Sequence, residues 1–258
     1  MKALWRWIDS RTGAGEWLGQ CRASRVSGGP CLCRALPCLL VFAFLMQAIT
    51  GVFMLMRYCP SSTTAWESVY HLQFETQAGW LLRAVHHYCG QAVLVLVGLY
   101  LIGMIFRGTY RAPRECVFWS VLFLGLVTLG LLLTGDLLAW DQNSHSATLT
   151  RVGFLQSLPV VGGSLFKLAA AGPEFGNLTL SQFTTLHVIV LAGAFCGLLI
   201  LRWWFARRAD AVESEPKVGG SSFWPNQALV NVMACLVLLA VIFGFAMSHG
   251  TTGDTRGV

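Results

Sequence analysis

Five stretches of this sequence, at about 36–57, 80–106, 117–138, 184–205 and 225–247, stay apolar over the roughly 20 residues that a helix needs to cross a bilayer. The polar segments between them are too short to build a large soluble domain. Backbone groups inside lipid must be paired within their own segment, so these stretches can only be helices. Composition agrees, since 55% of the 258 residues are hydrophobic and only 12% charged, against about a quarter charged in soluble domains. The expected fold is all-α and integral to a membrane, with a four-helix transmembrane bundle followed by a fifth transmembrane helix.

The net charge of +6 has a side. Lys2, Arg6, Arg11, Arg22, Arg25 and Arg34 precede the first apolar run. Arg107, Arg111 and Arg114 follow the second, and Arg202, Arg207, Arg208 and Lys217 follow the fourth. The two opposite loops, 58–79 and 139–183, hold only Arg151 and Lys167 between them. The positive-inside rule therefore predicts a cytoplasmic N-terminus and an outer C-terminus. This divides the chain into a cytoplasmic amphipathic segment (1–35), a four-helix bundle (36–206), a cytoplasmic linker (207–224), a fifth helix (225–247) and an outer tail (248–258). The basic balance reports topology and gives no reason to invoke nucleic acid. Leu4–Gly13 is too polar to read as the apolar core of a signal peptide.

Nine cysteines show no repeated zinc-like spacing. Cys38, Cys196 and Cys235 lie within helices and read as small apolar fillers. Cys31 and Cys33 stand just before the first helix on the reducing side, where a disulfide is not expected; ligation of a cofactor or partner is the alternative role there.

His86 and His87 lie near the outer end of the second helix, and His187 lies at a similar depth in the fourth. An imidazole inside a membrane needs a partner and marks a candidate functional site. Two imidazoles facing each other across a bundle suit the axial positions of a haem iron, although spacing alone leaves a structural, hydrogen-bonded histidine open. Gly51 and Gly135 lie toward the outer ends of the first and third helices, where a missing Cβ lets a flat macrocycle approach the backbone. Gly135 equally suits small-residue helix packing. Arg83, one turn outside His86, is placed to meet a propionate.

These motifs, in this order, resemble the N-terminal part of cytochrome b from quinol-oxidising bc-type complexes. The resemblance rests on "LWRWIDSRTG", "QAITGVFM", "GWLLRAVHHYCG", "GTYRAPREC", "TGDLLAWDQ", "LPVVGGSLFKL", "LSQFTTLHVIVL" and "FWPNQALVNVMACLVLLAVIFGFA", which together span nearly the whole chain. It implies that His86 and His187 are the axial ligands of an outer b-type haem and that His87 is structural. It also implies short loop helices at "LPVVGGSLFKL", near an outer quinol site.

The pattern breaks at the inner haem. The family's second ligands lie fourteen residues on in the second helix and fourteen or fifteen on in the fourth. Fourteen residues rise about 21 Å and return to within about 40° of the same face, so one helix can carry two stacked haems. Here those positions hold Tyr100, Leu201 and Arg202. Pro37 and Val121 stand fourteen before Gly51 and Gly135, where the inner glycines are expected. The expectation is one haem b, on the outer side, with a Tyr100–Arg202 hydrogen bond in the vacated pocket. The rival is Tyr100 as an inner iron ligand, since tyrosinate binds iron. The chain also carries no Pro-Glu-Trp-Tyr after its fifth helix, and Ala139 replaces the usual proline of the third-helix motif. A complete outer quinol site then takes residues from another subunit, or there is none.

The resemblance thus implies a subunit of a quinol-oxidising oxidoreductase in a bacterial cytoplasmic membrane, rather than an enzyme alone. Its haem exchanges electrons with quinol or a neighbouring cofactor. Expected partners are lipid and other subunits of an oligomeric redox complex: a Rieske-type iron–sulfur protein, a c-type cytochrome, or a second cytochrome b-like chain supplying the missing loop and helices. The alternative is a degenerate cytochrome b kept as a structural or assembly subunit without redox turnover. A transporter has little support, because Asp136 and Asp141 at one interface are the only other candidate charges for a path.

Overall fold

The computed structural model describes residues 2–13, 15, 19, 25–26, 29–212 and 221–250. Helix α1 (Lys2–Thr12) lies in the N-terminal segment. Pro37 falls in the first turn of α2 (Leu36–Leu55), where its missing N–H is no loss and its fixed φ suits helix entry. A short α3 (Ala65–Tyr70) continues into a π-helical turn, His71–Glu75. Helix α4 (Gly79–Phe106) and helix α5 (Glu115–Leu137) are the next two spans. Two shorter helices, α6 (Gln142–Gln156) and α7 (Gly162–Ala170), occupy the following loop. The chain then returns through α8 (Asn177–Val212) and α9 (Phe223–His249).

Five of these helices, α2, α4, α5, α8 and α9, are long and apolar enough to span a membrane. Their ends correct the expected boundaries. Helix α8 outruns 184–205 at both ends, because the polar Asn177–Gln182 and the helix-forming Ala206–Val212 keep the ladder going beyond the apolar stretch. The expected 207–224 linker is therefore helical as far as Val212, and α9 begins at Phe223; residues 213–220 lie outside the described residues. Most of the 248–258 tail also lies outside them, after Gly250 ends α9 with φ +60°.

The end of α4 shows how the chain turns at the face expected to be inner. Gly108 takes φ +67°, its N–H bonds the Ile105 carbonyl at 3.0 Å, and the Thr109 N–H bonds the Met104 carbonyl at 3.0 Å. This paired closure satisfies carbonyls that the helix would otherwise leave bare, and glycine is the residue that takes the left-handed position without a Cβ penalty. Arg114 in the same loop reaches Asp210 at the end of α8 at 2.6 Å. At the entry to α2 the buried Gln227 of α9 pairs with the backbone of Cys31, accepting from its N–H at 2.9 Å and donating to its carbonyl at 3.0 Å. A two-residue antiparallel pairing, Arg25 with Ser222 and Val26 with Ser221, extends the same attachment.

Helix α2 packs on α4, α4 on α5, and α5 on α8, while α9 lies against α4 and α2. Leu39, Leu40 and Ala43 of α2 face inward, whereas Val41, Leu45, Ile49 and Val52 are exposed. In a bilayer that exposed stripe meets lipid, which is as apolar as a protein core.

Candidate functional site

The four-helix arrangement brings His86 of α4 and His187 of α8 to face each other, with ring centroids 6.4 Å apart and planes tilted by 56°. Two imidazole–metal bonds of about 2.0 Å, with each ring's own radius behind them, span a little over 6 Å. The separation is thus that of two rings sharing one metal atom between them.

The hydrogen bonds fix which nitrogen is available. Thr50 Oγ1 lies 2.9 Å from His86 Nδ1 and itself donates to the Met46 carbonyl at 2.7 Å. Its only hydrogen being used, it accepts from the ring, so Nδ1 carries the proton. Thr134 repeats the arrangement on α5. Its hydroxyl donates to the Gly130 carbonyl at 2.7 Å and accepts from His187 Nδ1 at 3.1 Å. In its neutral form each imidazole held in this way carries its proton on Nδ1 and directs the Nε2 lone pair outward, the form a metal ion takes up.

Gly51 and Gly135 follow those threonines directly, and each lies against its histidine. A Cβ on Gly51 would stand 3.1 Å from His86 Cε1, and one on Gly135 only 2.8 Å from His187 Cε1. The glycines expected to admit a macrocycle also seat the two imidazoles. The site is thus built twice, α2 serving α4 and α5 serving α8, from a Thr-Gly pair opposite a histidine. Sequence reasoning found the glycines and histidines but missed Thr50 and Thr134; the repeated dipeptide in "ITGV" and "LTGD" was the available signal.

His87 points elsewhere. Its Nε2 pairs with Gln91 at 2.8 Å, one turn along the same helix. Arg83 donates to Gln73 at 3.4 Å and lines a cleft with Trp66, Tyr70, Phe74 and Asp141, one turn outward of His86. That hydrogen bond engages it with the π-helical turn.

At the level expected to be inner, Arg202 donates two hydrogen bonds to the Tyr100 hydroxyl, at 2.8 and 3.1 Å, with its guanidinium carbon 5.3 Å from the centre of the tyrosine ring. The expected hydrogen bond is present. Arg202 rather than Leu201 fills this position because α8 widens into a π-helical turn at Leu186–Leu191, which contains His187. The wider turn takes up one additional residue. Fifteen residues after His187 thus come level with fourteen after His86. Tyr100 belongs to a buried apolar cluster that includes Leu40, Met104, Val121 and Leu124; Phe195, stacked on Phe44 with centroids 4.8 Å apart, stands about half-way along α8 between His187 and Arg202.

Residues 91–252 match the family described as cytochrome b (N-terminal)/b6/petB. The menaquinol:cytochrome c reductase cytochrome b subunit of Geobacillus thermodenitrificans is 34% identical over 168 residues, covering 65% of this chain and 75% of that protein. Cytochrome b6 of Heliobacterium mobile is 33% identical over 162 residues, covering 63% and 76%. A solved hyperthermophilic respiratory complex III contains a chain of the same fold, with a TM-score of 0.84 at 22% identity, over 95% of this chain and 67% of that one.

Proposed function

The chain belongs to the cytochrome b N-terminal/b6 family, and on that premise we propose that it is the electron-transfer subunit of a bc-type membrane complex with a single b-type haem held by His86 and His187 near the outer face. The observation that carries the reading is the facing pair of Nδ1–H imidazoles 6.4 Å apart, each with its Nε2 unclaimed. Iron bound there supplies a one-electron couple, and the protein supplies position, ligands and dielectric.

The residues divide the work. His86 and His187 ligate, while Thr50 and Thr134 fix the tautomer and orientation of the rings. Gly51 and Gly135 keep the flanking backbones close to the ring edges. Arg83 offers a cation to an acidic edge at the outer rim. The single-haem reading is supported by what stands at the level expected to be inner: a Tyr100–Arg202 pair, with Pro37 and Val121 where the glycines are expected. One chain then does not relay electrons across the bilayer alone. Quinol, or a neighbouring redox subunit such as a Rieske-type protein or c-type cytochrome, exchanges electrons with it on the outer side. Either a partner subunit supplies the inner half of the path, or electron transfer stays on the outer side.

The test is the haem-to-chain ratio and spectrum of the purified complex. About one haem b per chain is expected, low-spin with bis-histidine character, and lost in His187→Leu. Two haems per chain would overturn the reading. An intact complex with no haem in this chain would leave it a structural subunit.

A further inference from the structure

Outside the histidine site, the segment entering α2 carries a second cluster of ligating atoms. Cys31 takes an extended conformation (φ −148°, ψ 140°) and caps the short 3-10 turn Leu32–Arg34. Its sulfur accepts a hydrogen bond from the Cys33 N–H at 3.3 Å, which puts the two cysteines on one tight turn. Both side chains are exposed and both thiols are free. The turn is anchored: the buried Gln227 holds the Cys31 backbone from both sides, and Arg34 donates to the Gly29 carbonyl at 2.8 Å.

We propose that Cys31 and Cys33 form a two-thiolate site for a soft monovalent cation, Cu(I). Backbone N–H groups directed at a cysteine sulfur are what stabilises a metal-bound thiolate, because they offset its charge without competing for the lone pair that faces the metal. A bis-thiolate Cu(I) centre carries a net negative charge, which the Arg34 guanidinium offsets. The choice of cation follows from the donor count. Among the described residues no group of three or more His, Cys, Asp or Glu side chains comes together to hold a metal. That excludes the four-ligand set of structural zinc among those residues. Thiolates select Cu(I) among soft ions, and a two-coordinate d10 cation is satisfied by two sulfurs. Binding releases the two thiol protons and leaves copper in its +1 state, so no oxidant is needed.

The experiment is anaerobic titration of the detergent-purified complex with Cu(I) against a chromophoric Cu(I) chelator. The intact protein should withdraw a single Cu(I) per chain, with two sulfur neighbours in X-ray absorption. Cys31→Ser and Cys33→Ser should each lose it, while keeping the gel-filtration profile of the parent. Cys116→Ser, at the exposed start of α5, should bind as the parent does. Equal uptake by Cys31→Ser, or loss in Cys116→Ser alone, would overturn the assignment. So would a haem that stays attached through Cys31 or Cys33 on a denaturing gel, since those sulfurs would then be spent on a thioether.

Discussion

Arg202 donates two hydrogen bonds to the hydroxyl of Tyr100, whose ring is packed in the buried apolar cluster of the bundle. Tyr100 is only 6% exposed, so its hydroxyl depends on that guanidinium. Arg202→Leu should destabilise the protein by about 1–3 kcal/mol, the cost of a buried polar group left without its partner. Tyr100→Phe in the same chain should recover part of the loss, because neither partner is then orphaned. Thermal unfolding of the parent, both single variants and the double variant, read as a cycle, checks this. The haem spectrum should be unchanged throughout.

The same packing predicts that ligands alone do not make a second site. Tyr100→His combined with Arg202→His restores imidazoles at the level expected to be inner, but Pro37 and Val121 still stand where a second macrocycle needs glycine. Haem content should remain about one per chain. A rise to two would show that side-chain packing was not the barrier.

Replacing Thr50 or Thr134 by valine keeps the shape and removes the acceptor for the ligand's Nδ1–H. Haem should still bind, but about 10–100-fold more weakly, as for other partners that orient a metal-ligating histidine. Its reduction potential should shift as well. Haem transfer to an excess of apomyoglobin and a redox titration measure the two effects.

The two glycines should not be equally sensitive. An alanine at 135 places its methyl carbon 2.8 Å from His187 Cε1, closer than real Cβ contacts come, whereas at 51 the distance to His86 is 3.1 Å. Gly135→Ala must move a ring that Thr134 holds, while Gly51→Ala needs a shift of only tenths of an ångström. Haem occupancy should fall more in Gly135→Ala, with altered g-values in the low-spin ferric signal.

Tyr58, in the loop after α2, gives a prediction at alkaline pH. Burial pushes its phenol up to about 12, from an ordinary value of 10.0. The folded pKa lies above the unfolded one, so the stabilisation is fully present below pH 10 and is lost as pH rises through 12. Stability measured across that window should fall less steeply in Tyr58→Phe than in the parent.

The number of spans and the pairing of His86 with His187 were legible in the sequence, because both rest on period and depth. Apolar length fixes a span whatever its neighbours are. Two histidines at one depth in helices of one bundle have few places to meet. The absence of histidine at 100, 201 and 202 was equally plain. Tertiary structure decided the rest. It showed Thr50 and Thr134 supporting the rings, since a mid-helix threonine can equally bond its own helix, and only the neighbouring helix shows where its second valence goes. It chose Arg202 over Leu201 as the partner of Tyr100, because a π-helical turn changes the angular register of every residue beyond it and leaves no mark in composition. It also brought Gln227 onto Cys31, 196 residues apart in the chain. Local pattern determines what each helix is; which atoms satisfy each other is set by helices meeting, and no single helix contains that information.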